Sequence, residues 1–310
     1  MAVDMKGKDV ISIHDLSREE VEQVIDTAHI LKMKNKLGEI YHPLQGKTLG
    51  MIFQKSSTRT RVSFEVGMWQ LGGYALFLSA NDMQLKRGET IADTARNLSR
   101  YLDGIMIRTF DHQDVVDLAQ YGSIPVINGL TDLLHPCQVL ADLFTISEKK
   151  GRLEGIKLAY IGDGNNMAHS LMFGGAKMGM HVVICSPSGF EPDPEVIRLS
   201  RLDAAKSGAS INVQDDPAEA VKGADIIYTD VWTSMGMEKE YEERLKSFQR
   251  YQVNGALLEK AREDVLVMHC LPAHRGEEIT DDVIDGTRSI VFDQAENRLH
   301  VQKAILALVM

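Results

Sequence analysis

Residues 55–61 read Lys-Ser-Ser-Thr-Arg-Thr-Arg, three cations and four hydroxyls in seven positions, directly after the apolar run Leu49-Gly50-Met51-Ile52-Phe53. Hydroxyls and guanidinium forks are the groups that grip phosphate oxygens. Val62, Val66 and Trp69 then recur at helical spacing, so the cluster is predicted to straddle a strand end and a helix start. Unpaired amides and the helix dipole favour an anion there. The G-x-x-x-x-G-K-[ST] pattern of nucleoside triphosphate loops is missing, so triphosphate chemistry has no support. Arg108 closes the predicted strand Gly104-Ile105-Met106-Ile107, and His135-Pro136-Cys137-Gln138 stands at another strand end, ahead of a helix. The three segments together predict an anion site with a neutral hydrogen-bonding pair, His135 and Gln138, beside it. Lys55 and Arg61 are expected to support the loop or to pair elsewhere.

The second half carries two more segments at predicted strand ends: Asp230-Val-Trp-Thr-Ser234-Met235-Gly236 and His269-Cys270-Leu271-Pro272. Acidic Asp230 suits a substrate with an amino group. A third segment, Gly162-Asp163-Gly164-Asn165-Asn166-Met167, begins as a dinucleotide fingerprint but has Met167 where the third glycine belongs. The following strand, His181–Cys185, runs into Ser186-Pro187 and offers no acid for ribose hydroxyls, which argues against a nicotinamide-dependent dehydrogenase. His135, His169, His269, His274 and Cys270 lie in separate segments without a recognised ligand spacing, so neither a metal nor a cofactor is expected.

Positioning these groups requires strand ends, and the chain supplies them. Apolar runs bounded by turn residues alternate with helix-like stretches, the pattern of parallel sheets with crossover helices. Strands are predicted at 48–53, 74–78, 104–108 and 124–127 in the first half, and at 156–161, 181–185, 225–229, 265–269 and 289–293 in the second. Ser17 and Glu20 form a capping box that opens a helix. The fold class is therefore α/β, with two domains, each a parallel sheet flanked by helices. A length of 310 residues agrees with two cores. The polar stretch 147–155 marks the boundary, giving domains 1–147 and 148–294, and the amphipathic segment from about 295 to 310 is expected to pack back on the first domain. With 34 Lys plus Arg against 44 Asp plus Glu, the net charge of −10 disfavours a nucleic-acid partner. No apolar run reaches membrane-spanning length, the first ten residues lack the apolar core of a signal peptide, and three scattered cysteines argue for reduced thiols, so a cytoplasmic protein is expected.

Ser57-Thr-Arg-Thr-Arg61 followed by His135-Pro-x-Gln138 resembles the signature of the aspartate/ornithine carbamoyltransferase superfamily, and the likeness runs through the whole chain. The Ser234-Met235-Gly236 loop with His269-Cys-Leu-Pro272 resembles the branch that uses ornithine; the aspartate branch would show a basic H-P-L-P-R segment, and putrescine enzymes lack S-M-G. The resemblance implies transfer of the carbamoyl group of carbamoyl phosphate to the δ-amine of L-ornithine, giving L-citrulline and phosphate in arginine biosynthesis. It implies that Ser57, Thr58, Arg59, Thr60 and Arg108 hold the phosphate, and that His135, Pro136, Cys137, Gln138 and Arg298 surround the carbamoyl group. By the same likeness Asn166, Asp230, Ser234 and Met235 bind ornithine, while Cys270 and Leu271 touch both substrates. Arg59, Arg108, His135, Cys270 and Arg298 are the implied catalytic set. Gln84 matches a position that reaches the carbamoyl phosphate site of a neighbouring subunit, and the resemblance further implies a homotrimer or a multiple of trimers. The loop around Lys86 and Arg87 departs from the variant with a His-Lys-Glu motif, so the likeness assigns those two residues no role. The charged stretch 238–252 is expected to double as a lid.

Overall fold

The computed structural model describes residues 3–84, 88–234, 236 and 238–310. The chain divides into two compact units, Met1–Phe144 with Glu296–Met310, and Thr145–Ala295. In the first unit β1 (Thr48–Phe53), β2 (Tyr74–Ser79), β3 (Gly104–Arg108) and β4 (Val126–Leu130) form a parallel sheet in the order β2-β1-β3-β4. The inner strands β1 and β3 are buried nearly throughout, as expected of parallel strands covered on both faces. Its helices are α1 (Arg18–Lys36), α2 (Thr58–Gln70), α3 (Ile91–Leu98), α4 (His112–Tyr121) and α5 (Pro136–Lys150), which runs on into the second unit. The Ser17/Glu20 capping box opens α1 as expected.

The second unit holds β5 (Lys157–Ile161), β6 (His181–Cys185), β7 (Ser210–Gln214), β8 (Ile226–Thr229) and β9 (Leu266–His269), parallel in the order β7-β6-β5-β8-β9. Helices α6 (Asn166–Lys177), α7 (Pro194–Ser207), α8 (Pro217–Val221), α9 (Tyr241–Phe248), α10 (Gly255–Leu258) and α11 (Asp281–Ile284) follow. The last helix, α12 (Val291–Val309), belongs to the first unit from Glu296 onward. There Lys32 Nζ donates to Asn297 Oδ1 at 2.7 Å, Lys303 Nζ donates to Gln70 Oε1 at 2.7 Å, and Gly7 N donates to the Val309 carbonyl at 2.9 Å. The expected return of the C-terminal segment is thus made by specific bonds.

Four expectations need correction. The run 289–293 is not a strand: Ser289 makes one bridge to Val267 and the helix begins at Val291. Strand β7 is an addition to the expected set, because its Ser-Ile-Asn-Val-Gln sequence shows little apolar content and lies at a sheet edge. The strand expected at 124–127 starts at Val126, since Pro125 has no N–H for the ladder, although its carbonyl accepts from Ile105 N at 2.9 Å. Helix α2 exists, but Val62 and Trp69 point outward at 51% and 75% exposure, and the buried face is Thr60, Phe64, Gly67 and Met68.

Candidate active site

In the first unit, the C-terminal ends of β1, β3 and β4 deliver the expected residues, and α12 adds one more. Ser57 is the N-cap of α2 and accepts from Thr60 N at 3.2 Å; Thr58 and Arg59 occupy the first turn. Arg108 ends β3 and is buried, His135 is buried just before α5, and Arg298 is buried on α12. Arg298 Nη2 donates to Thr60 Oγ1 at 2.9 Å, which joins the C-terminal helix to the cluster.

Electrostatics show that these groups share one environment. Burial, and then the charges of Arg298, Arg108 and Arg59, hold the His135 pKa well below the ordinary 6.5, so the imidazole is neutral at pH 7. A neutral ring donates from one nitrogen only. Arg59 Nε is buried with no hydrogen-bond partner among the described residues, and so is Gln138 Oε1, whose amide nitrogen donates to Asp142 Oδ1 at 2.8 Å. A buried donor and a buried acceptor without partners suit an anion bearing a primary amide. Cys137 turns away: its thiol donates to the Asn128 carbonyl at 3.3 Å, and burial pushes its pKa to about 12. Pro136 is the first residue of α5. Gln84 is exposed beyond β2, while Lys86 and Arg87 lie outside the described residues.

The other two cations of the opening cluster have protein partners. Lys55 pairs with Asp132 and lies 4.3 Å from the centroid of Phe110. Arg61 pairs with Glu65 at 2.9 Å and stacks on Phe77 at 3.9 Å.

In the second unit the ends of β5, β8 and β9 build a separate polar cluster. Asp230 is 7% exposed; its Oδ1 accepts from Cys270 Sγ at 2.9 Å and from Val231 N at 2.8 Å, and its Oδ2 accepts from Asn165 Nδ2 at 3.1 Å. Asn165 also caps α6, accepting from Met167 N at 2.9 Å, so Asn166 is the first helical residue. The motifs do not single out Asn165; the N-cap preference for Asn before a helical run is the signal that marks it. Ser234 is half-buried and Met235 lies outside the described residues.

The sequence gives His269 no role of its own within the His-Cys-Leu-Pro segment, yet it is fully buried and holds the β9 end together. Its Nδ1 accepts from Leu271 N at 2.9 Å, which fixes the tautomer and lets Nε2 donate to Glu278 Oε1 at 2.9 Å. That bond supports Leu271 at φ 58°, a left-handed conformation rare for leucine, ahead of a cis Leu271–Pro272 peptide. Asp230, His269 and Cys270 do bring potential ligand atoms within 4.8 Å of one another, a grouping that segment spacing did not foretell. Both His269 nitrogens are engaged in hydrogen bonds.

The glycine fingerprint has a packing explanation. A Cβ on Gly164 would lie 2.3 Å from Pro192 N and 2.6 Å from the Phe190 carbonyl oxygen, and Gly164 N donates to that same oxygen at 2.8 Å. Two backbone segments touch there, and only glycine fits. Arg244 of α9 donates to Asp163 Oδ2 at 2.8 Å and to the Trp232 carbonyl at 2.9 Å. Burial raises Asp163 to about 6 even beside that guanidinium.

A parallel sheet with cations and a neutral imidazole at its strand ends, and a second with a carboxylate, a thiol and amides at its own, define a group-transfer enzyme that takes an anion and an amine. Residues 8–148 match the carbamoyl-P binding domain of aspartate/ornithine carbamoyltransferase, and residues 154–309 match its Asp/Orn binding domain. The chain belongs to the aspartate/ornithine carbamoyltransferase family. It is 62% identical to an ornithine carbamoyltransferase of Thermococcus kodakarensis over 310 residues, which cover 100% of this chain and 98% of that one. A Pyrococcus furiosus relative named as the anabolic ornithine carbamoyltransferase is 59% identical over the same span, again 100% and 98% of the two chains. The solved structure of the ornithine carbamoyltransferase from Pyrococcus furiosus superposes with a TM-score of 0.97 at 59% identity, covering 99% of this chain and 98% of that one.

Proposed function

We propose that the chain transfers the carbamoyl group of carbamoyl phosphate to the δ-amine of L-ornithine, giving L-citrulline and phosphate. The observation that carries this reading is the neutral, buried His135 surrounded by Arg59, Arg108 and Arg298. Full-length relatives named ornithine carbamoyltransferase support the acceptor, and the relative named anabolic supports the biosynthetic direction.

In this reading Ser57, Thr58, Arg59, Thr60 and Arg108 bind the phosphate. His135 and Arg298 donate to the carbamoyl oxygen, and Gln138 Oε1 accepts from the carbamoyl amide. Asp230, Asn166, Ser234 and Met235 hold ornithine, with Asn165 added because it donates to Asp230. Cys270, on the same carboxylate, helps aim the amine. The amine attacks the carbamoyl carbon, charge develops on the carbonyl oxygen, and the C–O bond to phosphate breaks. Each well-placed donor to such an oxyanion contributes roughly 3 to 4 kcal/mol. An amine with a pKa of about 10.4 is neutral in only about 1 molecule in 2,500 at pH 7, a deficit of about 4.6 kcal/mol that binding of the neutral form must offset. The leaving phosphate is the group we assign to take the proton. The test is citrulline formation with ornithine, putrescine and aspartate as competing acceptors; activity confined to putrescine or aspartate would overturn the acceptor.

The assembly is read as a homotrimer or a multiple of it, with Gln84 given to a neighbouring site. The open edge supports this: Val10 bridges Ile127 beside β4, whereas no strand pairs the outer side of β2 among the described residues. Tyr74 on β2 is 64% exposed and Trp69 nearby in sequence is 75% exposed, an apolar edge of the kind that pairing with another copy covers. Mixing Arg59→Ala with Gln84→Ala subunits should restore part of the activity that each lacks alone. A mixture as inactive as its components would remove Gln84 from a shared site. A cytoplasmic setting is supported by the three scattered cysteines, which form no disulfide among the described residues.

A further inference from the structure

We propose that Lys55 is a positioning residue of the carbamoyl phosphate half-site, a clasp that fixes the three strand-end loops carrying Arg59, Arg108 and His135. The inference rests on the assignment of that half-site. Lys55 lies two residues before Ser57, Phe110 two residues after Arg108, and Asp132 three residues before His135. The Lys55 ammonium touches both neighbours, pairing with Asp132 and sitting 4.3 Å from the Phe110 centroid.

The backbone carries the same alignment beyond the strands. Gln54 N donates to the Arg108 carbonyl at 2.8 Å, Thr109 N to the Leu130 carbonyl at 3.0 Å, and Asp132 N to the Phe110 carbonyl at 2.9 Å. One side chain therefore reinforces a row of loop contacts across β1, β3 and β4. The loops need it because Arg59, Arg108 and Arg298 converge on them and repel one another. An ion pair and a cation–π contact across the loops oppose that spreading. Lys55 is no ligand in this account, since its charge is already matched inside the protein.

Burial is uneven, and that separates a positioning role from a folding role. The Lys55 side chain is 4% exposed and that of Asp132 57%. Removing one partner of an ion pair is strongly destabilising when the charge left behind is buried; here the aspartate left behind is mostly exposed and stays hydrated, so that penalty does not arise. Displacing reacting groups by about 1 Å can nevertheless cost on the order of 100-fold in rate.

The test compares Lys55→Met, Lys55→Arg, Asp132→Asn and the double variant Lys55→Met/Asp132→Asn with the parent enzyme. Measured quantities are KM for each substrate, kcat, the inhibition constant for inorganic phosphate and the thermal midpoint. Lys55→Met should lower kcat/KM for carbamoyl phosphate by roughly ten- to 100-fold, raise the inhibition constant for inorganic phosphate, leave ornithine KM in place and not lower the midpoint. Asp132→Asn should err in the same direction, Lys55→Arg should recover part of the loss, and the double variant should be no worse than Lys55→Met. Parental kinetics in Lys55→Met would overturn the proposal. So would a damaged Lys55→Met beside a parental Asp132→Asn, because Lys55 would then act on substrate by itself. Should Lys55→Met not fold, Asp132→Asn decides alone, with parental kinetics counting against the clasp. If the half-site itself is misassigned, Arg59→Ala will leave carbamoyl phosphate KM unchanged, which is a different result.

Discussion

His135 is the residue on which the proposed first half-site turns, because burial and three guanidinium charges act on it in one direction. A histidine whose folded pKa lies below its unfolded value of about 6.5 is destabilising at low pH, since only the unfolded chain then takes up the proton. Stability from this group is complete above about pH 6.5 and falls as the pH drops below it. His135→Gln removes the titrating group, so its thermal midpoint should fall less than the parent's between about pH 6.5 and 5. Parallel curves would mean that His135 protonates as readily in the folded protein. Arg59→Ala should lower turnover by roughly 100- to 1,000-fold with a parental circular dichroism spectrum; unchanged kinetics would sink its assignment. Residue types and spacing group Arg59, Arg108 and His135 around one expected anion site, and the structure brings them to neighbouring strand ends, while their separate roles come only from the family resemblance. Asn165 and His269 are not legible in the sequence, because their importance lies in which neighbour each bonds, Asp230 for one and Glu278 for the other. Adjacent asparagines look alike in a sequence, and only the helix start distinguishes the cap from the first turn.

At the scale of elements, the alternation of apolar runs and helical stretches is enough to foresee two parallel sheets. What it misses is at the margins. An apolar run of five residues, 289–293, satisfies a strand and a buried helix start equally well, and the structure gives the second. Edge strand β7 carries polar residues because solvent reaches it, so its signal is weak. Gly164 shows the converse case, a partial glycine fingerprint that the sequence already argued against as nucleotide chemistry and that backbone contact explains. Gly164→Ala should destabilise by about 1 to 3 kcal/mol through that clash, read as a lower denaturant midpoint. A midpoint within error of the parent would show that the loops part easily. Helix α9 bears on the expected lid: Arg244 ties it to Asp163 and to the Trp232 carbonyl, just ahead of Ser234. Protease protection of 238–252 by both substrates together, and not by one alone, would support closure; equal cleavage in every condition would not.

At the scale of the molecule, the first unit draws on two stretches of chain, Met1–Phe144 and Glu296–Met310, with 151 residues of the second unit (145 to 295) between them. Arg298 comes from the later stretch. Ribosomes add about 5–20 residues per second, so the interval between completing the first stretch and reaching the second is about 8 to 30 s. During that interval a nascent chain holds the β1, β3 and β4 loops without the guanidinium that bonds Thr60, and without the helix that receives Lys32. The second unit, encoded without interruption, is complete at residue 295, just before the last stretch of the first unit begins. Completion of the domains therefore runs opposite to the numbering: the domain begun first is finished last, and a chain that stops before residue 298 lacks one of the three arginines whose charges act on His135.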